Sequence, residues 1–442
     1  MLTENNIFFP LLRLITNSSA ALTTIHKKHG ELVLTRFFGK LILFVSKPEH
    51  IEHIFSQEAK GNVSRDALYD AKKPVFGDGL VNSKNELWTR QRKLMQPFFN
   101  KDAITCWNEL MVEEMATMVN RFKETEMSEI NISKEIKLLV QSIVTRILFG
   151  NQLDNAKQSV LMECVDTIIK GLVPQLSSGV LGSNIFNYLF IWQNRSFNRA
   201  VKQFADFVEH ALNENASKDD HSLLSLLSQA TDKKTGYAMT EALLKDEAIT
   251  LYLAGQDTTI NTVVWFLYLI GKHEAVQHKI IEEVLRYKNE PLTPENIAKL
   301  TYTKAALSET LRKYPAATAV SRNPIVDDFV LDGNSIAKDT TMLISIYAAH
   351  HDAQSWEKPD DFYPEHFSDP ELAGKRHRHA YLPFGGGIHN CIGRHLAEQE
   401  MLVIIVSLLR EFSFKTEMTV KTGISVTMKP DRDVLVSVKP SC

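Results

Sequence analysis

The spacing of apolar and polar residues predicts a mainly α-helical chain with small β-sheets. From Trp88 to about residue 313, apolar residues recur every three or four positions, which is the period of a helix with one buried face. Residues 30–60 instead favour a small β lobe, in which residues 32–34 and 41–45 form two strands around a turn at Gly39 and a helix follows.

The last third of the chain predicts shorter elements. Extended segments are expected at residues 325–330 and 341–346, and a long loop then leads to Pro383. A helix is predicted to start at Cys391, and a terminal hairpin is predicted over residues 414–438. Helices therefore dominate, and the sheets lie at the edges.

Composition and charge are those of an ordinary globular protein. Of the 442 residues, 44% are hydrophobic and 23% are charged, which is enough material for a large buried core. No linker, charge run or internal repeat divides the chain, so we expect one large domain over residues 1–442. The formal net charge of −3 gives no reason to expect nucleic acid as a partner.

The cysteines and the N-terminus bear on localisation. Cys106, Cys164, Cys391 and Cys442 are far apart, so they form neither a CxxC pair nor a zinc cluster, and this usage indicates a reducing cytoplasm. The apolar run at residues 7–15 is shorter than the ~20 residues of a spanning helix. We expect a soluble, cytoplasmic protein with no transmembrane segment; an amphipathic start that touches a membrane edge stays open.

The most informative segment reads Phe-Gly-Gly-Gly-Ile-His-Asn-Cys-Ile-Gly at residues 384–393. Its glycines allow the backbone to approach a flat ligand closely, and the position of Cys391 before a helix favours a thiolate, which is a ligand for iron. A lone cysteine beside a glycine turn is more often a small buried hydrophobe. A phosphate-binding loop is disfavoured because the Lys-Ser/Thr ending is missing.

A second cluster lies in the middle of the nearly all-apolar segment 246–272, which predicts a buried helix. Ala254, Gly255, Asp257 and Thr258 stand there together. An interior glycine and a buried carboxylate both reduce stability, so we interpret the cluster as functional, with an acid and an alcohol that relay protons. The alternative is that Asp257 and Thr258 restart a kinked helix as a cap.

Residues 384–393 resemble the haem-binding signature of the cytochrome P450 family, from Phe384 through Cys391 to Gly393. The resemblance implies heme b (iron protoporphyrin IX) with Cys391 as the iron ligand, in a haem-binding loop of about residues 377–398. The basic residue two positions before the cysteine is usually Arg in the family, and here it is His389.

Other segments match the family in order along the chain. Glu309 and Arg312 resemble its Glu-x-x-Arg motif, and residues 364–367, Pro-Glu-His-Phe, resemble its Pro-Glu-Arg-Phe segment with His366 in place of Arg. Taken alone, the Glu-Arg pair reads as a surface salt bridge of little energetic value. In the family context it implies a structural lock, which we expect to weaken in alkali because the charge of His366 varies near neutral pH.

The resemblance also implies roles at the haem. Trp88, Arg92 and Arg322 would bind the haem propionates together with His389. Ala254 and Gly255 would mark the place where the central helix opens over the haem. Thr258 would hold oxygen and its water, and Asp257 would supply protons.

The implied function is a monooxygenase that inserts one atom of O2 into a small apolar substrate, lipid-like or terpenoid. Residues 171–197 and 316–320 are candidates for the substrate pocket. Electrons would come from an external ferredoxin, flavodoxin or reductase, docked on basic residues that include Lys84, Arg90, Lys93 and the run 375–378. Two alternatives remain: a peroxide-driven peroxygenase or isomerase, and a haem-based sensor or electron carrier.

Overall fold

The computed structural model describes residues 18–65, 68–124, 129–150, 155–181, 191–215, 222–423 and 425–441. The mainly α architecture with small sheets that the sequence predicts is confirmed. The α-helices of the described residues, α1 to α17, are Ser18–His29, Pro48–Ala59, Tyr69–Phe76, Asn85–Met95, Asn108–Glu124, Ile132–Phe149, Asn155–Leu181, Ile191–Asn215, Leu223–Gln229, Glu241–Lys272, Glu274–Arg286, Pro294–Ala298, Thr301–Lys313, Ile346–His350, Glu365–Ser368, Pro370–Lys375 and Arg394–Leu409. Three 3₁₀ turns cover Gln96–Phe99, Ala103–Trp107 and Arg378–Ala380.

In the described residues, three small sheets accompany the helices. The strands, β1 to β10, are Leu32–Phe37, Lys40–Val45, Val63–Ser64, Glu129–Asn131, Val320–Pro324, Val330–Leu331, Asn334–Ser335, Thr341–Ile344, Phe412–Lys415 and Leu435–Pro440. They form a five-stranded sheet in the order β1-β2-β8-β5-β3, a three-stranded sheet β4-β10-β9 and the pair β6-β7.

The predicted β lobe is confirmed, but it is only half of its sheet. β1 and β2 pair antiparallel with Leu34 opposite Leu43, as the turn at Gly39 requires. β2 then pairs parallel with β8, which comes almost 300 residues later, and β8 pairs with β5. Since parallel pairing needs a long crossover, the helical body is the connection between the two halves of this sheet.

Helix α10 is the centre of the helical body. Its first turn is capped by Thr240, whose hydroxyl accepts a hydrogen bond from the Leu243 amide at 3.3 Å. Apolar residues face every side, so the helix is surrounded by α6, α8, α13 and α17. One core cluster joins residues from Val75 to Val436, and the described residues fold as a single domain.

Two predicted boundaries in the last third are wrong. The extended segment falls at Val320–Pro324 and Val330–Leu331 instead of residues 325–330, because Pro324 ends the first strand and a turn at Asp327 and Asp328 follows. The helix predicted from Cys391 begins at Arg394, since the Cys391 amide donates to the Phe384 carbonyl at 2.9 Å and so closes the loop first.

The terminal hairpin is confirmed, with Val438 opposite Phe414 and β4 as a third strand. Among the described residues, no helix is both long enough and apolar enough to span a membrane.

Candidate active site

A cavity of about 460 Å³ lies between α10 and the loop that carries Cys391. Most of its wall is apolar, and its aliphatic and aromatic lining residues include Leu80, Phe99, Val144, Leu148, Leu223, Leu251, Ala316, Ala317, Val320, Ile346, Leu396 and Val426. Its size and apolar character are those of a site for a small molecule or cofactor.

Cys391 faces this cavity from the loop side. Cys391 keeps exposed surface, but desolvation by the protein packed around its sulfur raises the pKa of the thiol, although the Gly393 amide and the Arg92 guanidinium partly offset this. Arg92 is held beside the loop by hydrogen bonds from its two terminal nitrogens to the Asn390 carbonyl, at 2.9 Å, and side chain, at 2.8 Å. Because the pKa stays raised in spite of Arg92, a further cation at the sulfur, such as a bound metal ion, would be needed to keep the thiol ionised.

The glycines of the loop have separate roles. Gly385 and Gly387 have φ of +71° and +70°, which other residues rarely adopt. A Cβ on Gly386 would lie 2.5 Å from the Phe55 ring, and one on Gly387 would lie 2.3 Å from the Glu58 carboxylate. Gly386 and Gly387 therefore let the loop pack on α2, and it is Gly385 and Gly393 that line the cavity together with Phe384.

The opposite wall is the middle of α10. Ala254, Gly255, Thr258 and Thr259 all line the cavity, so the structure brings most of this predicted cluster to face Cys391. The helix continues through Gly255 without a break, and the Thr258 hydroxyl donates to the Ala254 carbonyl at 2.8 Å. The predicted opening of the helix is therefore a wall of small side chains rather than a gap in the helix.

Asp257 does not line the cavity. Its carboxylate accepts a hydrogen bond from the hydroxyl of Thr427, which does line it, and burial raises the pKa of Asp257. The predicted acid and alcohol thus occupy successive positions on α10 but face different sides, with Thr427 between the acid and the cavity.

One end of the cavity is basic and aromatic. Trp88 and Arg92, both on α4, line this end, and the Trp88 ring lies 4.0 Å from that of His389. Arg65 also lines this end, with its guanidinium 5.6 Å from the Trp88 ring. Arg65 belongs to no sequence motif, because only the fold brings it beside Trp88.

Arg322 lies just behind this end, buried beside an acid that sequence reasoning missed. Glu58, on α2, is fully buried; Arg322 Nε lies 2.6 Å from its Oε1, and His389 Nδ1 lies 2.7 Å from the same oxygen. Burial acts to raise the pKa of Glu58, but these two partners outweigh it and lower that pKa. Glu58 therefore holds two of the predicted propionate ligands in place.

The predicted Glu309–Arg312–His366 cluster is present and buried. Arg312 donates to both oxygens of Glu309, at 2.7 and 2.8 Å, and its other N–H groups donate to three backbone carbonyls, those of His350, Pro359 and Asp361. His366 Nδ1 lies 3.1 Å from Glu309, and its Nε2 contacts the Glu357 carbonyl. The surface alternative for this pair is therefore wrong.

Glu400, on α17, is a second acid that sequence reasoning missed. It lines the cavity beside Thr259, and burial raises its pKa to about 8 because no cation of the described residues pairs with it. Of the predicted substrate segments, Ala316, Ala317 and Val320 line the cavity. No described residue of 171–197 does, and residues 182–190 lie outside the described residues.

The side chains present fit a haem. A soft thiol ligand faces the cavity, apolar walls would cover a porphyrin ring, and Arg65, Arg92, His389 and the Trp88 indole stand at one end, where propionates need donors. These side chains therefore suit a haem that is held by a thiolate.

Comparison with known proteins gives the family. The model of the cytochrome P450 family matches residues 3–438, so the chain belongs to the cytochrome P450 family. It is therefore an oxidoreductase of the monooxygenase class, in a family that binds haem.

Among its relatives, cyclooctatin synthase of Streptomyces melanosporofaciens is 27% identical over 91% of this chain and 88% of the relative. Cyclooctat-9-en-7-ol 5-monooxygenase of the same organism is 25% identical over 86% of this chain and 82% of the relative. Cytochrome P450 4V2 of Homo sapiens is 26% identical over 82% and 73%.

Proposed function

We propose that this chain holds heme b through the Cys391 thiolate and inserts one atom of O2 into an apolar organic substrate. The observation that carries the proposal is the position of Cys391: its thiol faces an apolar cavity, across from the small residues of α10, with basic groups gathered at one end. When bound, the haem supplies the iron at which O2 is activated, and electron donation from the thiolate favours O–O cleavage.

The residues of this chain would supply binding, orientation and protons. The propionates would be bound by Arg65, Arg92, His389 and Trp88. Arg322 lies behind them and would hold His389 in position, because both residues contact Glu58. Thr258 presents the alcohol closest in sequence to Asp257, and the Thr427 hydroxyl connects Asp257 to the cavity edge. We propose that protons pass from Asp257 through the Thr427 hydroxyl to the cavity and the Thr258 hydroxyl, since the apolar walls themselves supply no protons.

A lipid-like or terpenoid substrate suits the lining. Phe99, Val144, Leu148, Leu223 and Leu251 offer an apolar surface with few hydrogen-bond donors, so shape and hydrophobic area would decide binding. The name of one relative describes it as a monooxygenase of cyclooctat-9-en-7-ol. That name supports the class of substrate without giving the compound.

The electron donor is proposed to be a separate ferredoxin, flavodoxin or reductase. The basic residues predicted as its docking surface already have partners within the chain. Four form ion pairs: Arg90 with Glu86, Lys93 with Asp232, Lys375 with Glu371 and Arg378 with Glu52. The other two lie over aromatic rings, Lys84 over Tyr69 and Arg376 over Trp356. Most of these pairs are exposed and exchange readily with an acidic partner. Arg376 is the exception, because it is half-buried and would contribute little to docking.

The first test is spectroscopic. The purified, reduced protein with carbon monoxide should show the absorption band from which the family takes its name and which reports a thiolate-bound haem, and Cys391→Ser should lose it. Cys164→Ser, which changes a buried thiol outside the cavity, is the matched control and should keep the band. Absence of the band in the wild-type protein would contradict the proposal.

The second test addresses the alcohol. Thr258→Ala should direct electrons to peroxide instead of product, with coupling reduced roughly tenfold or more. Thr310→Ala is the control, because its hydroxyl makes the same bond to the carbonyl four residues earlier, at 2.9 Å, but on α13 and outside the cavity. A peroxygenase would turn over with peroxide equally well in both variants, and a sensor would show no turnover in either.

A further inference from the structure

A cluster of metal-ligating side chains lies outside the cavity. Helix α2 there meets the 3₁₀ turn Arg378–Ala380, which precedes the cysteine loop. Glu52 of α2, His377 and His379 each offer one ligand atom, and these three atoms lie within 4.8 Å of one another. Sequence reasoning included His377 in the predicted docking run but did not group it with the other two, because more than 320 residues separate the glutamate from the histidines.

The distances are close to those of a metal site. His377 Nε2 lies 3.3 Å from Glu52 Oε2, and His379 Nδ1 lies 4.0 Å from Glu52 Oε1. Zinc bonds of about 2.0–2.1 Å in tetrahedral geometry place ligand atoms about 3.4 Å apart. The first pair already has this separation, and a small rotation of the His379 ring or the carboxylate would bring in the second.

An independent observation points to a ligand. His379 Nδ1 is buried and makes no hydrogen bond within the part of the chain that the structure describes. A buried ring nitrogen without a partner costs free energy, and a metal ion would satisfy it. The site is nevertheless accessible from outside, since the side chains of His377 and Glu52 are 31% and 40% exposed.

We propose that Glu52, His377 and His379 form a site for a divalent transition-metal ion of the Zn²⁺ type. Two imidazole nitrogens with one carboxylate are ligands that suit Zn²⁺, and they exclude Mg²⁺ and Ca²⁺, which prefer oxygen ligands. A water molecule or a solvent ligand would complete the coordination on the exposed side.

Two local interactions must change for the metal to bind. Arg378 donates to Glu52 Oε1, but its side chain is 76% exposed and can turn into solvent. His377 Nδ1 accepts a hydrogen bond of 3.2 Å from the His379 amide. This long bond would be lost, because the ring proton moves to Nδ1 when Nε2 binds a metal.

The metal would tie α2 to the segment that leads into the cysteine loop. Phe55 and Glu58, farther along the same helix, already contact Gly386 and Gly387 in that loop. Metal binding at Glu52 would therefore add a second point of attachment between α2 and the segment that carries Cys391, one turn before the contacts of Phe55 and Glu58. A metal that binds only the folded state also raises the melting temperature by mass action.

The experiment titrates the tag-free holoenzyme, first treated with a chelator, with ZnCl2 by isothermal calorimetry near neutral pH. We expect about one Zn²⁺ per chain at this site, with affinity reduced at least tenfold in each of Glu52→Gln, His377→Ala and His379→Ala. His53→Ala, which removes an exposed imidazole from the same cleft, should bind as the wild type does. Crystals soaked in ZnCl2 should show an anomalous zinc peak between the three side chains.

Folding is checked separately, because each variant should keep the haem content and circular dichroism of the wild type. The melting temperature of the wild type should rise with ZnCl2, and that of the His377→Ala/His379→Ala double variant should rise less. The proposal is overturned by zinc affinity that is equal in the wild type and the three ligand variants, or by an anomalous peak elsewhere with none at this site.

Discussion

Glu309 and Glu400 are both buried, at 0% and 3% exposed, but their surroundings shift their pKa values in opposite directions. Burial acts to raise the pKa of Glu309, and hydrogen bonds from Arg312 and His366 outweigh it, so the carboxylate stays ionised. For Glu400, burial raises the pKa to about 8, and among the described residues only the Thr259 hydroxyl acts to lower it. The presence of cationic partners, rather than depth, decides whether a buried acid is charged.

The opposite pKa shifts of Glu309 and Glu400 reflect how completely the polar groups around each acid are hydrogen-bonded. Around Glu309, all five N–H groups of Arg312 have acceptors, so the cluster is complete within the chain. Around Glu400, the polar groups of the cavity wall are incompletely matched, which is typical of a site that a ligand completes. The first region stabilises the fold, and the second is available for chemistry.

The largest effect is expected from breaking the complete cluster. Glu309→Gln leaves Arg312 buried without its anion and should lower the free energy of unfolding by about 3–5 kcal/mol, measured by urea denaturation. Because the pKa of Glu309 is lowered in the folded state, its contribution is present above its ordinary pKa and is lost as the pH falls through the folded value. The difference from wild type should therefore shrink in acid.

The control is Glu365→Gln, which removes a partly exposed pair with Lys279 and should cost less than about 1 kcal/mol. Equal losses in the two variants would contradict the distinction between a buried, complete cluster and a surface pair.

The second effect concerns the unpaired acid. The pKa of Glu400 is about 8 in the folded state and ordinary in the unfolded chain, so folding takes up a proton between these values and stability falls as the pH rises. Glu400→Gln removes this dependence, and the variant should gain on wild type by up to about 1.4 kcal/mol per pH unit between the two pKa values. Thermal melts across that range give the measurement.

Glu247 sharpens this comparison. Its pKa is also raised to about 8 by burial, and one of its oxygens accepts from the Leu80 amide at 3.0 Å, but it does not line the cavity. Glu247→Gln should show the same gain with rising pH. If only one of the two variants gained stability with rising pH, burial without a cationic partner could not be the common cause of the raised pKa values.

The smallest effect is expected at His366. Both ring nitrogens face oxygen acceptors, Glu309 and the Glu357 carbonyl, and only the doubly protonated ring donates to both. His366→Arg supplies a permanent cation with N–H groups for both acceptors, so it should stabilise the protein by about 1 kcal/mol or less, measured by urea denaturation. A variant that is less stable than the wild type would show that the shape of the imidazole ring matters more here than a cationic donor.

Much of this protein could be predicted from residues that are neighbours along the chain. The helical period gave the helical body, and the strands at 32–37 and 40–45 followed from their alternation and the turn at Gly39. The Cys391 loop and the small residues of α10 were identified because each is a short contiguous motif. Local geometry fixes such features, so a sequence pattern suffices for them.

Only the tertiary structure decided which distant groups meet. It placed Glu58 between Arg322 and His389, turned Asp257 away from the cavity towards Thr427, and brought Glu52 beside His377 and His379. It also made the Glu309 cluster buried rather than superficial. These contacts join residues that are far apart in the chain, and no local periodicity encodes them, because burial and charge pairing arise only when the whole core packs.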